Sequence, residues 1–96
     1  MGIEELLKSK RDEILRIAAR HGAYNVRVFG SVARSDMRPD SDIDFLVDLE
    51  PGRSLFDLGG TIADLQDLLG REINIMTEAG LKERVRDHVL KEAVPL

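Results

Sequence analysis

Two aspartates, Asp42 and Asp44, alternate with apolar residues in segment 42–49. The β-branched and aromatic residues of this segment predict a strand, in which successive side chains point to opposite faces. The two carboxylates would then share a face, about 6.6 Å apart at a rise of roughly 3.3 Å per residue. Both could converge on one divalent cation from that distance, whereas without a cation their repulsion would weaken the strand. Taken alone, the pair fits either a cation site or a solvated strand face.

The next strand along the chain, predicted over 72–76, carries polar residues that could join this site. Its isoleucines match the apolar face of segment 42–49. If both strands pack on the same helices, Glu72, Asn74 and Met76 lie on the face that bears the two aspartates. We therefore expect one amide and one further carboxylate on that face.

A glycine and a serine, Gly30 and Ser31, come directly after a strand predicted over 24–29. Glycine lets a ligand approach the backbone closely, and backbone N–H groups at the start of a helical turn favour a phosphate. The serine hydroxyl would add one more donor. Most Gly-Ser pairs are only turns, so this pair indicates a function only in combination with the two aspartates.

The combination is Gly30-Ser31, ten intervening residues, and then Asp42 and Asp44. This spacing resembles the signature of the DNA polymerase β nucleotidyltransferase superfamily. The stretches 28–35 and 39–47 resemble the minimal nucleotidyltransferase (MntA-like) family within it. The resemblance covers nearly the whole chain, from the first helix to the tail, and it implies a polymerase-β-like nucleotidyltransferase core.

The resemblance also implies roles for particular residues. In that family the Gly-Ser turn holds the phosphates of a nucleoside triphosphate, which corresponds to Gly30 and Ser31, and Arg34 either reaches these phosphates or is solvated. The paired aspartates bind Mg²⁺, which corresponds to Asp42 and Asp44. Two carboxylates and a triphosphate suffice for one Mg²⁺ ion, because the ion keeps several waters. Catalysis would then consist mainly of positioning and of charge neutralisation at phosphorus.

The third strand departs from the family pattern. Relatives carry a third carboxylate two residues into this strand, where the present chain has Asn74. An amide oxygen can ligate Mg²⁺, but it carries no formal charge and is no base, so activation of the acceptor hydroxyl is the role in doubt. Glu72 could substitute by its longer side chain. The other interpretation is that Glu72 is a solvated glutamate at the start of the strand.

Three functions are compatible with these residues. The first is a Mg²⁺-dependent nucleotidyltransferase that uses ATP, for which the resemblance implies transfer of AMP to a tyrosine hydroxyl of a HEPN-family protein, as antitoxin to toxin. The second is a degenerate member that binds nucleotide or partner without transfer, because the third carboxylate position is Asn74. The third is an unrelated small domain, which requires Asp42 and Asp44 to diverge in space.

The elements that must position these residues are predicted from hydrophobic spacing and from turn residues. They are, in order, a helix over 3–20, a strand over 24–29, a helical turn at 31–34, a strand over 42–49, a helix over 54–69, a strand over 72–76 and a helix over about 78–92. Leu55 and Val85 are among the side chains expected to face the core, and Thr77 is the expected N-cap of the last helix. The sequence therefore predicts an α/β (α+β) fold, with a small mixed three-stranded sheet flanked by helices in the order α-β-(α)-β-α-β-α.

Composition limits the partners. The chain has 96 residues, which we take as a single domain over 1–96, and its 18 acidic and 14 basic residues give a net charge of −4. An acidic chain with four aromatic residues argues against a general nucleic-acid groove. The absence of cysteine excludes disulfides and thiolate metal sites. With no apolar run of about 20 residues and no apolar signal core, we expect a cytoplasmic protein without a membrane span.

Overall fold

The structure, a computed structural model, describes residues 3–30, 32–33 and 42–96. The helices are α1 (Ile3–Ser9), α2 (Arg11–Arg20), α3 (Leu55–Leu69) and α4 (Glu83–Glu92). The strands are β1 (Ala23–Phe29), β2 (Ile43–Leu49), β3 (Ile73–Thr77) and β4 (Val94–Pro95). The fold is thus the predicted mixture of helices with one mixed sheet.

The sheet has the strand order β3-β2-β1-β4. β2 is antiparallel to β1 and parallel to β3, and α3 makes the crossover that a parallel pair requires. In the register, Phe29 lies opposite Asp44, and Asp44 lies opposite Asn74. The end of β1 and the beginnings of β2 and β3 therefore meet at one end of the sheet.

The two faces of the sheet are covered differently. One face packs against the first three helices around a core that includes Phe45 and Ile43, both with no exposed surface. Burying side chains of this size stabilises the fold by about 1.5–3 kcal/mol each. The opposite face packs through Leu46 against Leu81 and Val89, the latter on α4. Asp44 and Asn74, the polar side chains near the starts of β2 and β3, lie on this second face, beside α4.

A fourth strand is the main departure from the predicted sheet. β4 pairs antiparallel with β1, where Val94 lies opposite Val28. Two residues are too few for a period-two pattern, and Pro95 argues against a strand except at an edge of a sheet. The prediction of three strands is therefore wrong by one short edge strand, while the class of fold is as predicted.

The first and last helices differ from the prediction in their limits. The helix predicted over 3–20 is divided at Lys10, although the Lys10 N–H still donates to the Leu6 carbonyl at 3.0 Å. The prediction of Thr77 as an N-cap is wrong, since Thr77 ends β3 and its hydroxyl accepts the Gly80 N–H at 3.1 Å. α4 begins only at Glu83, so Val85 lies in its first turn; it is exposed, contrary to the prediction, whereas Val89 one turn later is buried as predicted.

The start of α3 is determined by a capping box. The Ser54 side chain accepts the Phe56 N–H, and the Asp57 carboxylate accepts the Ser54 N–H at 2.9 Å. Leu55 and Phe56 occupy the first turn and are 80% and 92% exposed, so the expectation that Leu55 faces the core is wrong. Among the residues that the structure describes, no helix is long and apolar enough to span a bilayer.

Candidate active site

The two aspartates lie where β2 begins. Asp42 is exposed and directly precedes the strand, and Asp44 is half-buried as its second residue. Between them, Ile43 is fully buried on the opposite face, which fixes the alternation. Asp42 and Asp44 therefore share a face as predicted, and the alternative of an unrelated domain with diverging aspartates is wrong.

Asn74 joins the two carboxylates. Its side-chain Nδ2 donates to Asp42 Oδ2 at 3.0 Å and to Asp44 Oδ1 at 3.1 Å. The parallel register places Asn74 directly across from Asp44. Two N–H donors between two anions offset part of the carboxylate repulsion, whereas an aspartate at the same position would add a third like charge. Asn74, where the family pattern has a carboxylate, thus stabilises the pair of aspartates through two hydrogen bonds.

The same convergence suits a divalent cation. One oxygen of each aspartate faces Asn74 Nδ2, and carboxylate oxygens are ligands that Mg²⁺ prefers, so an ion that took both oxygens would displace the amide nitrogen. Within residues 3–30, 32–33 and 42–96, no group of three or more His, Cys, Asp or Glu side chains is placed to hold an ion. From the described part of the chain, two carboxylates are therefore available to an ion here, and its other ligands would be substrate oxygens and water.

Gly30 adjoins this pair at the end of β1. Its φ of +71° lies in the left-handed region, and a Cβ at this position would overlap Asp44 Oδ2. Both observations require glycine. Ser31 and Arg34, the other predicted phosphate ligands, lie outside the described residues, so their roles stay predictions.

The Gly30 amide makes a contact that the sequence did not predict. Its N–H donates to Glu92 Oε1 at 2.6 Å. Glu92 is the last residue of α4, its side chain is 14% exposed, and its Oε2 lies 3.4 Å from His88 Nε2. The partners of the hydrogen bond are 62 positions apart, so no local spacing could have indicated it.

Glu72 is not brought to the aspartates. Its carboxylate accepts a hydrogen bond from Gln66 Nε2 on α3 at 3.3 Å, and its backbone carbonyl accepts the Ile43 N–H. The side chain is directed towards the helical layer and is exposed. This placement agrees with the interpretation of Glu72 as a solvated glutamate at the start of the strand.

Farther along the same face, charge is balanced within the protein. The Arg27 guanidinium lies 3.4 Å from Asp48 Oδ1 and 3.3 Å from Glu78 Oε2, and its side chain is 12% exposed. Asp48 also accepts a hydrogen bond from Asn25 at 3.0 Å. The carboxylates of segment 42–49 thus fall into two groups. Asp48 is ion-paired with Arg27, whereas Asp42 and Asp44 are bridged by the Asn74 amide.

The chain matches a family model described as a nucleotidyltransferase domain, over residues 11–96. It is 35% identical to a candidate protein adenylyltransferase of Methanocaldococcus jannaschii, over 98% of this chain and 97% of that one. It is 34% identical to the protein adenylyltransferase MntA of Thermococcus cleftensis, over 96% of this chain and 90% of that one. The family match spans all the residues of the site.

Two solved structures share the fold. One, described as a candidate minimal nucleotidyltransferase, is 50% identical with a TM-score of 0.87, over 96% of this chain and 94% of that one. The other, described as a toxin–antitoxin with AMP-PNP, has a TM-score of 0.75 at 14% identity, over 88% of this chain and 69% of that one. At 14% identity, the second structure is evidence of the fold alone.

Proposed function

The chain belongs to the nucleotidyltransferase domain family, and from this premise we propose that it transfers AMP from ATP to a hydroxyl group of a protein partner. The observation that carries the proposal is that one oxygen each of Asp42 and Asp44 converges on the Asn74 side chain, at the end of the sheet where β1 leads into Gly30. Relatives named as protein adenylyltransferases match almost the full chain, which supports the choice of AMP and of a protein acceptor.

Asp42 and Asp44 are the residues that would hold Mg²⁺. Their oxygens already face one point, where the Asn74 amide lies. When bound together with ATP, the ion supplies charge neutralisation at the reacting phosphate. Because Asp44 is half-buried and paired in register with β3, the strand holds its carboxylate in place before any ligand binds.

The phosphates are proposed to lie against Gly30, Ser31 and Arg34. The space left by the missing side chain of Gly30 is taken by the Asp44 carboxylate, so the proposed phosphate turn begins directly beside a proposed metal ligand. The Ser31 hydroxyl would donate one hydrogen bond to a phosphate oxygen, and the Arg34 guanidinium would offset negative charge. The chain then contributes orientation and charge balance to the transfer.

Asn74 favours a second candidate function, a module that binds nucleotide or partner without transfer. An amide cannot accept the proton of the attacking hydroxyl, and here its nitrogen already donates to both aspartates. We favour transfer, because relatives named as protein adenylyltransferases match almost the full chain. In this proposal the missing third carboxylate slows activation of the hydroxyl and leaves nucleotide binding intact.

The proposed acceptor is a tyrosine hydroxyl of a HEPN-family partner, with this chain as the antitoxin. A toxin partner is what the resemblance to the minimal nucleotidyltransferase family implies, and the relatives named as protein adenylyltransferases support a protein acceptor. The small size of the chain agrees with a partner that completes the cleft. We place this ATP-dependent reaction in the cytoplasm.

The test is to incubate the full chain with the purified partner, ATP and Mg²⁺, and to measure the intact mass of the partner. We expect the mass to increase by one AMP unit, and Asp44→Asn to abolish the increase. Calorimetry with a non-hydrolysable ATP analogue, done in parallel, reports nucleotide binding. Binding without any AMP adduct would exclude transfer and establish the binding module.

A further inference from the structure

Gly30 is contacted by carboxylates from two different elements. Asp44 of β2 lies where a Gly30 side chain would be, and Glu92 of α4 accepts the Gly30 N–H at 2.6 Å. The first contact defines the proposed metal and phosphate region. The second belongs to no part of the function proposed above.

The Glu92 hydrogen bond has the features of a strong one. A carboxylate acceptor makes charge-assisted bonds that are shorter and stronger than neutral ones. The 14% exposure of the Glu92 side chain limits competition from water, which strengthens the bond further. The bond also restrains Gly30, whose φ of +71° lies in the left-handed region.

Glu92 can act as an anchor because its helix is docked. Val89, three residues earlier on α4, is buried against Leu46 of β2 together with Leu81. Residues three apart lie on the same side of a helix, so the packing that holds Val89 also directs Glu92 towards the sheet. The Glu92 carboxylate thus restrains Gly30, at the end of β1, by a hydrogen bond to a helix that is packed against the sheet.

We propose that Glu92 is a positioning residue for nucleotide binding: by accepting the Gly30 N–H, it holds the start of the phosphate turn in the orientation that receives the triphosphate beside Asp44. This inference rests on the proposed function. Glu92 acts through the backbone of the turn, since its Oε1 accepts the Gly30 N–H. Gly30 then contributes the space that the Asp44 carboxylate occupies and a restrained turn, while its own N–H is already used.

The opposite role for Glu92 would be exclusion of phosphate, since a carboxylate near the turn repels an anion. The two roles predict changes of opposite sign. If Glu92 positions the turn, its removal weakens nucleotide binding. If it excludes phosphate, its removal strengthens binding.

The experiment compares the full chain with Glu92→Ala, Glu92→Gln and Glu92→Asp, and uses Glu83→Ala, an exposed change at the other end of α4, as the control. The first readout is the Gly30 amide proton in NMR spectra without nucleotide. The second is the affinity for a non-hydrolysable ATP analogue with Mg²⁺, measured by calorimetry. The NMR spectra also show whether each variant is folded.

We expect Glu92→Ala to move the Gly30 amide proton upfield and to weaken nucleotide binding about tenfold. Glu92→Gln keeps an oxygen acceptor of the same reach and should restore binding to within about threefold of wild type, whereas the shorter Asp should not. Glu83→Ala should match wild type in both readouts. A general loss of stability would not explain why Gln restores nucleotide binding and Asp does not. This pattern of the three variants therefore identifies Glu92 as a positioning residue.

Unchanged or tighter nucleotide binding in a folded Glu92→Ala variant would overturn the inference while leaving the proposed function standing. An unshifted Gly30 amide proton would also overturn it. If the wild-type chain itself fails to bind the nucleotide, both the proposed function and the role of Glu92 are wrong. The NMR readout would still show whether the hydrogen bond between Gly30 and Glu92 exists.

Discussion

The side-chain amide of Asn74 donates to Asp44 at 3.1 Å, directly across the parallel pair formed by β2 and β3. An amide donor thus occupies the position from which the family pattern leads one to expect a third carboxylate. In the absence of an ion this replacement converts a repulsive contact into an attractive one.

Asn74→Asp should therefore make the stability of the domain depend on Mg²⁺. Without the ion, we expect a loss of about 1–3 kcal/mol, from the lost hydrogen bonds and the added repulsion. Addition of Mg²⁺ should raise the Tm of the variant more than that of wild type, and AMP transfer should increase. The matched control is Asn25→Asp, which places a carboxylate beside Asp48 instead. Equal Mg²⁺ responses in wild type and in Asn74→Asp would contradict the assigned metal site.

Gly30→Ala and Gly70→Ala separate backbone strain from loss of space. Both glycines have positive φ, +71° and +66°, so alanine costs about 1–2 kcal/mol at either position. Only at Gly30 would the new Cβ also overlap Asp44, while nothing lies within 4 Å of a Cβ at Gly70. Urea denaturation should show the larger loss for Gly30→Ala, and nucleotide binding should be weakened in that variant alone. A Gly70→Ala variant that binds as weakly as Gly30→Ala would argue that stability, not site geometry, controls affinity.

Two adjacent glycines of α3 should respond to alanine with opposite signs. A Cβ at Gly60 would lie 2.7 Å from His21 Cε1, and the ring is held by a 2.8 Å hydrogen bond between its Nε2 and Asp64. Overpacking there should cost about 1–3 kcal/mol, more than the roughly 1 kcal/mol that alanine gains in a helix. At Gly59 nothing lies within 4 Å, so Gly59→Ala should stabilise the protein by up to about 1 kcal/mol. Thermal unfolding of the two variants measures their difference in stability. A Gly60→Ala variant more stable than wild type would show that the His21 ring moves aside at little cost.

The capping box of α3 should make stability fall at acidic pH. The Ser54 N–H, and to a lesser extent the charge of Arg53, lower the pKa of Asp57 below its ordinary value of 3.8. A lowered folded-state pKa means that the stabilisation is complete above about pH 4 and is lost as the pH falls through the folded-state pKa. Asp57→Asn should remove this part of the pH dependence, as measured by urea denaturation between about pH 2 and 6.

Ser54→Ala is the control for the capping box. It removes the side-chain acceptor of the Phe56 N–H, which should cost about 1 kcal/mol at all pH values. It keeps the backbone N–H that Asp57 accepts, so the acid-induced loss should persist. A Ser54→Ala variant that loses the pH dependence, or an Asp57→Asn variant that keeps it, would place the titrating group elsewhere.

The parts of the site that could be predicted from sequence are those that depend on local periodicity. Asp42 and Asp44 share a face because strand side chains alternate, and Asn74 joins them because the apolar faces of two strands must be buried on the same side. The overall class of fold is predicted by the same patterns together with the turn glycines. The family resemblance added the expectation that these elements form a polymerase-β-like nucleotidyltransferase core.

The remaining features depend on contacts or registers that no local pattern contains. The bond between Gly30 and Glu92 joins residues 62 positions apart, and only the docking of α4 brings them together. Leu55 fits the apolar stripe of α3, yet it is exposed because the first turn of that helix extends beyond the core. Val85 fits the apolar face of α4 that Val89 buries, yet it is exposed in the first turn of that helix.

The tether between Gly30 and Glu92 has a consequence for how the protein is made. During synthesis, β1 and β2 leave the ribosome well before α4, so an early hairpin would carry both aspartates and the glycine turn without their helical anchor. Closing a loop of this length costs conformational entropy that only the complete tertiary structure offsets. A chain translated only as far as β2 would therefore hold Gly30 and both aspartates without the restraint that Glu92 adds.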